Sequence, residues 1–222
     1  MTIRVPVVEQ ITKANDLLAR ANRARLDALG IRGLNVMASP GAGKTSLIER
    51  TVPALAGEFR VGVVEGDAAS TLDAERAAAA GAVSVQVNTG GSCHLEASMV
   101  QAALERLPLE QVDLLIVENV GNLICPAAFD LGTHVNVLVA SVPEGDDKPY
   151  KYPRMYRGVG VLVLNKIDLL PYVPFDKDRF RRGVEALNPG VLTFELSCRT
   201  GEGLEAWLTW VRGQARAGRT RA

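Results

Sequence analysis

The 222-residue sequence predicts an α/β fold: a P-loop NTPase with a mainly parallel central sheet carrying helices on both faces. Three observations lead to it. Seven short apolar runs recur along the chain, "GLNVMA", "RVGVVEGD", "VSVQVN", "VDLLIVEN", "VNVLVAS", "VGVLVLNK" and "VLTFEL". Runs this short, rich in Val and Leu, suit strands buried on both faces of a parallel sheet. Helical stretches alternate with them, as right-handed crossovers require. Finally, "MASPGAGKTSL" joins the first run to a helical pattern through a glycine-rich loop.

Ahead of the first strand, Val8, Ile11, Leu18, Leu26 and Leu29 recur at helical spacing and Gly30 supplies a stop, which predicts a leading amphipathic helix. The loop after it carries Gly41-Ala42-Gly43-Lys44-Thr45-Ser46. Glycines let backbone N–H groups curl around phosphate oxygens, Lys44 reaches the β and γ phosphates, and the Thr45 hydroxyl is a magnesium ligand. Ala38 stands where the pattern has its first glycine, which reduces backbone freedom there. Glu65 and Asp67 end the second run, and Glu118 ends the fourth. Magnesium prefers a few hard oxygens together with phosphate and water, so one or more of these acids joins Thr45 in holding it. Lys44, Thr45, Asp67 and Glu118 are therefore the candidate catalytic residues. Glu118 to Gly121 has the acid-x-x-Gly spacing of a γ-phosphate-sensing loop, and no glutamine follows it directly to orient a water. Slow intrinsic hydrolysis, below about 1 per second, is the expectation.

"NKID" ends the sixth run, placing Asn165, Lys166 and Asp168 at a strand end. An Asp carboxylate accepts both guanine N1–H and the exocyclic amine, which adenine does not offer together, so GTP is favoured over ATP. Ser197, Cys198 and Arg199, in "SCRTGEG", follow the last run and are expected to turn backbone N–H groups towards the guanine oxygen; for the Cys198 side chain, packing is the favoured role. Cys93 and His94, in "NTGGSCHLEA", are expected at a helix start, where the thiolate is favoured. Cys125 follows the acid-x-x-Gly segment. Two thiolates and an imidazole suit Ni2+ or Zn2+, but the spacing is equally compatible with two packed cysteines and a surface histidine. His134 reads as structural.

Lys plus Arg equals Asp plus Glu at 25 each, so no global field favours nucleic acid or an anionic membrane. The N-terminal "MTIRVPVVEQ" lacks an apolar signal-peptide core, and a cytoplasmic location is expected. Three cysteines are too few for a disulfide framework, so reduced thiols are expected. Length allows one full α/β domain. The expected organisation is a helix over 1–30 packed on a GTPase domain over 31–213, with 214–222 as a disordered tail at the end of the stretch "RGQARAGRTRA", which carries four arginines over 212–222.

Taken in order, "SPGAGKTSL", "EGD", "NTGGSCHLEA", "ENVGNLICPAAFDLG", "SVPEGDDKPYKYP", "NKIDL" and "TGEGL" resemble the hydrogenase nickel-incorporation GTPase family (HypB), from about residue 8 to 211. The resemblance implies a GTPase that dimerises with GTP and carries nickel towards the [NiFe] hydrogenase large subunit, with a zinc-containing chaperone partner (HypA). It implies Cys93, His94 and Cys125 as metal ligands at a dimer interface, and Lys148 and Lys151 as residues reaching across the dimer. Family members more often read Lys-Gly where this chain has Gly91-Ser92, and residues 1–35 contain neither Cys nor His. The N-terminal nickel motifs of some members are therefore not carried over. The alternatives are a nucleotide-dependent interaction module with structural zinc, and a GTPase for another nickel enzyme such as urease, whose Cys-Pro-His motif is absent here.

Overall fold

The computed structural model describes residues 7–67 and 72–220. Helix α1 (Val7–Ala28) leads into β1 (Arg32–Ala38), followed by α2 (Lys44–Leu55), β2 (Val61–Asp67), α3 (Leu72–Ala79), β3 (Val83–Asn88), α4 (Ala97–Leu104) and β4 (Leu114–Glu118). The second half runs β5 (Val135–Ser141), α5 (Lys148–Lys151), α6 (Pro153–Arg157), β6 (Val161–Asn165), α7 (Lys177–Leu187), β7 (Leu192–Glu195) and α8 (Leu204–Arg219). Each apolar run forms a strand, and the seven pair in parallel in the order β3-β2-β4-β1-β5-β6-β7.

Successive strand residues face opposite layers. Leu34, Val36, Ile116 and Val137 pack under α2 and α8 against Leu47, Ile48, Trp207 and Val211. On the other face Val64, Leu115 and Val117 pack under α4 and Leu26 of α1, while Met37, Leu138 and Leu162 lie under Tyr156 of α6 and Phe180 of α7. Burial on both sides explains why the strands read as near-continuous apolar runs. Among the described residues no helix is long and apolar enough to cross a membrane.

Two expectations change. Only part of the predicted stripe faces inward: Leu26 is buried, but Leu29 is 41% exposed, beyond the end of the helix, and Leu18 is only partly buried. Asn15, Ala19 and Asn22 turn inward beside Leu26. The asparagines are stable there because remote backbone groups satisfy them. Asn15 accepts from the Ala97 N–H and donates to Asp130 O, both at 2.8 Å, and Asn22 donates to Ala97 O and Leu131 O. The side chains of Val8 and Ile11 lie outside the described residues.

The arginine-rich tail is also ordered as far as Thr220, because α8 continues to Arg219. Ala215 and Gly218 are buried, Arg219 pairs with Asp113 at 3.0 Å, and its guanidinium stacks 4.5 Å from the Phe59 ring centre. Residues 221–222 lie outside the described residues. Removing 214–222 should lower stability in urea by about 2 kcal/mol, through lost packing of the last helical turns; an unchanged midpoint would mean the tail carries no such packing.

Candidate functional site

The carboxyl ends of the strands bring the nucleotide motifs together, as expected of an open parallel sheet. In the register, Val36 of β1 lies opposite Glu118 of β4, and Glu65 of β2 lies opposite the same Glu118. The glycine-rich loop leaving β1 therefore emerges beside all the acids. Ala38 needs no glycine-like freedom: it is a fully buried strand residue paired with Val139. Gly43 does need it, with φ of +107° and an added Cβ falling 2.4 Å from Asn165 Nδ2.

Asn165 organises the base end. Its Nδ2 donates to Ala42 O at 3.0 Å, and its Oδ1 accepts from the Lys166 N–H at 2.7 Å and the Cys198 N–H at 3.1 Å. Lys166 takes the left-handed conformation and its Nζ donates to Gly41 O at 2.6 Å, tying this loop to the glycine-rich loop. Asp168, with Ser46, Cys198 and Arg199, lines a cavity of about 590 Å3, and the buried Asp168 Oδ1 has no hydrogen-bond partner among the described residues. An orphaned carboxylate oxygen beside a cavity is an acceptor waiting for donors. The Ser197 N–H donates to Glu202 O, so it and the Cys198 N–H brace the loop rather than turn towards the guanine oxygen. Cys198 is buried, and burial pushes its thiol up to about 11.

A second cavity of about 520 Å3, lined by Gly41, Lys44, Thr45, Asp67, Asp73, Arg76, Glu118 and Gly121 among others, continues from Ser46. The Thr45 hydroxyl donates to Glu118 Oε1 at 2.7 Å. Burial pushes the Glu118 carboxyl up to about 7, with Thr45 and Lys44 pulling against it. Glu65 is pushed up to about 8, by burial first and by the charge of Glu118 beside it. Its Oε2 is buried without a hydrogen-bond partner among the described residues, and Glu65, Asp67 and Asp73 offer oxygens within 4.8 Å of one another. This donor set of carboxylates and one hydroxyl suits a hard divalent cation. Asp73 and Arg76 were not singled out from sequence. Arg76 is held away from full engagement with the cavity by a fork to Glu49, at 2.8 and 2.7 Å, and by Asp73 at 3.1 Å.

The soft ligands converge as well. Cys93 Sγ lies 3.0 Å from Cys125 Sγ and 3.7 Å from His94 Nδ1, and the three ligand atoms fall within 4.8 Å of one another. Cys93 and His94 precede α4 rather than begin it, since Glu96 is the N-cap. Contact with Cys93 pushes the Cys125 thiol up. Burial holds the His94 imidazole down, which favours the neutral, ligating form, and the ring stacks on Phe129 at 4.1 Å. Leu95 crosses the end of β2 directly over Gly66, where a Cβ would fall 2.6 Å from Leu95 Cγ. That close approach lets the loop after β3 reach across β2 towards Cys125. His134 is structural: its Nδ1 accepts from the Gly33 N–H and its Nε2 meets Asp27, both at 2.9 Å. Lys148 packs over the Tyr152 ring and Lys151 pairs with Asp147, and neither lines the two cavities.

A family model described as CobW/HypB/UreG, nucleotide-binding domain, matches residues 34–195. The hydrogenase maturation factor HypB of Azotobacter vinelandii is 46% identical over 208 residues, covering 94% of this chain and 69% of that protein. The chain belongs to the HypB family. Among solved structures, HypB from Helicobacter pylori in complex with nickel superposes with a TM-score of 0.86 at 37% identity, covering 91% of this chain and 95% of that one. HypB from Archaeoglobus fulgidus gives 0.85 at 38% identity, covering 91% and 99%. The parallel sheet and its helices are thus those of HypB proteins.

In this HypB-family chain the buried acids make stability pH-dependent. Glu65 keeps its proton to about pH 8 when folded, whereas unfolded it releases it near 4.5. The native state therefore binds more protons between those values, and stability falls as pH rises through them. In nucleotide-free and metal-free protein, Glu65→Gln should flatten that fall and raise stability at pH 8 by on the order of 1–3 kcal/mol, with little difference at pH 4. Urea unfolding at the two pH values checks this, and parallel slopes for both proteins would refute it.

Proposed function

We propose that this chain is a GTP-hydrolysing nickel carrier that serves hydrogenase maturation. The observation that carries the reading is the convergence of Cys93, His94 and Cys125 at the end of the segment that starts at Glu118. The names of its relatives, hydrogenase maturation factors, and the nickel complex of the Helicobacter pylori protein support the same assignment.

GTP would lie across the two cavities, base towards Asp168 and phosphates towards Lys44. The orphaned Asp168 Oδ1 supports guanine, because both donors on that base edge can meet one carboxylate. Lys44 and the backbone of Gly41 to Thr45 hold the phosphates, with Ser46 on the α2 side. Thr45, Asp67 and Glu118, joined by Glu65 and Asp73, would hold magnesium, which neutralises phosphate charge when bound. In that role the Thr45 hydroxyl oxygen would offer a lone pair to the ion while its hydrogen stays directed at Glu118, and the acids would release their protons. Gly121 faces the phosphate cavity. Occupation of that cavity draws in the segment from Glu118 to Cys125 and shifts Cys125 relative to Cys93 and His94, and hydrolysis relaxes it.

Nickel is the cargo. The three ligands that converge among the described residues leave coordination open, which suits hand-over, and Cys93 is exposed. A structural zinc site would be closed by four ligands, so this observation favours carriage over a fixed zinc. A GTP-dependent homodimer would complete the coordination, with Lys148 and Lys151 as the candidates for contact across it. The zinc-containing chaperone HypA and the [NiFe] hydrogenase large subunit are the proposed partners.

Two measurements test the reading. Nickel titration should show loss of more than about 100-fold in affinity for both Cys93→Ala and Cys125→Ala, and binding unchanged in both would refute the cargo site. Asp168→Asn should weaken GDP binding by about 100-fold or more and favour xanthosine diphosphate, whose second carbonyl accepts from an amide; undiminished GDP affinity would remove Asp168 from base recognition.

A further inference from the structure

Asn122 is no metal ligand, yet the two halves of the thiol site meet at its side chain. Its Oδ1 accepts from the Ile124 N–H at 2.7 Å and the Cys125 N–H at 3.4 Å, closing the turn that presents Cys125. Its Nδ2 donates to the Cys93 carbonyl at 3.3 Å, across 29 positions of sequence. Its backbone N–H donates to Ala38 O at 2.8 Å, where the glycine-rich loop leaves β1, and the preceding Gly121 abuts Pro40 of that loop. One side chain therefore grips both cysteine backbones from an anchor on the phosphate loop.

A second asparagine repeats the pattern three residues earlier. Asn119, 1% exposed, accepts from the Leu95 N–H at 3.1 Å through Oδ1 and donates to Asn35 Oδ1 at 3.2 Å. Its own N–H donates to Val36 O at 3.0 Å. Both loops that carry thiols are thus tied to β1 by way of the segment that runs through Gly121.

We propose that Asn122 is the positioning residue of the thiol site: it sets the separation of Cys93 and Cys125 and passes a displacement of the phosphate loop to both at once. This rests on reading Cys93, His94 and Cys125 as the cargo site. The amide is the right group because it accepts at the Cys125 turn and donates to the Cys93 carbonyl. A carboxylate would keep the first contact and set two acceptors against each other at the second, and an alanine would lose both.

The test compares the full chain with Asn122→Ala and Asn122→Asp. The first readout needs no metal: the rate at which Cys93 and Cys125 form a disulfide under diamide, which takes up the two hydrogens the thiols release. Cys198 is buried and does not compete. The clamp predicts slowing of roughly tenfold or more in both variants, with GDP affinity held within about twofold of wild type. The second readout is nickel affinity, expected to fall about 10–100-fold. Oxidation within about twofold of wild type in both variants overturns the proposal, whatever nickel does. Slowed oxidation in the variants, together with no nickel binding by the wild-type chain, supports the clamp and removes the cargo reading instead. If Asn122→Ala loses GDP binding through misfolding, Asn122→Asp decides alone.

Discussion

Everything at this site depends on β1 and β4 lying side by side in parallel, with Val36 opposite Glu118. Parallel neighbours end on the same edge of the sheet, so the glycine-rich loop and the acid-x-x-Gly segment emerge next to each other and share hydrogen bonds at once. The Asn119 N–H goes to Val36 O and the Asn122 N–H to Ala38 O. Because β2 flanks β4 on its other side, Glu65 is brought level with Glu118. Burial at this end of the sheet is what raises both carboxyls first, with the charge of Glu118 adding to the rise at Glu65, and that burial is costly until a cation relieves it.

The same register sets the candidate phosphate site and the thiol cluster side by side. On the sheet face that carries α1, α4, α6 and α7, two apolar clusters leave a polar seam between them. Asn35, Asn119 and Asn136 fill it, with Asn35 donating to Asn136 at 3.0 Å and accepting from Asn119 at 3.2 Å. Asn35 and Asn119 are buried and Asn136 half-buried, so the inner part of this hydrogen-bonded network has few alternative arrangements, which is what the proposed coupling between the two sites requires. If nucleotide shifts the thiols in this way, linkage requires metal to bias nucleotide binding by the same free energy.

Much of this was legible in the sequence, and what was not has physical reasons. The seven strands were readable because burial on both faces demands continuous apolar runs, and the glycine-rich loop because Gly43 tolerates no Cβ beside Asn165. Cys93 and Cys125 were visible as residues, but their meeting was not, since β2 lies between the strands that deliver them and only Gly66 allows Leu95 to cross. Asp73 and Arg76 sit in an alanine-rich helix that reads like any solvated surface helix; their place in the cavity comes from how α3 follows β2. The inward face of α1 was partly misread because Asn15 and Asn22 are satisfied by carbonyl and amide groups more than 70 positions away. In the tail, small residues at 215 and 218 permit close packing that four arginines concealed.

Under the proposed function, nucleotide state sets metal affinity through the segment from Glu118 to Cys125. Calorimetric nickel titration of the wild-type chain, once saturated with GDP and once with a non-hydrolysable GTP analogue, tests it most directly. The account predicts nickel dissociation constants that differ by at least about fivefold, with nickel changing the affinity ratio of the two nucleotides by the same factor. Equal constants in the two states would contradict it.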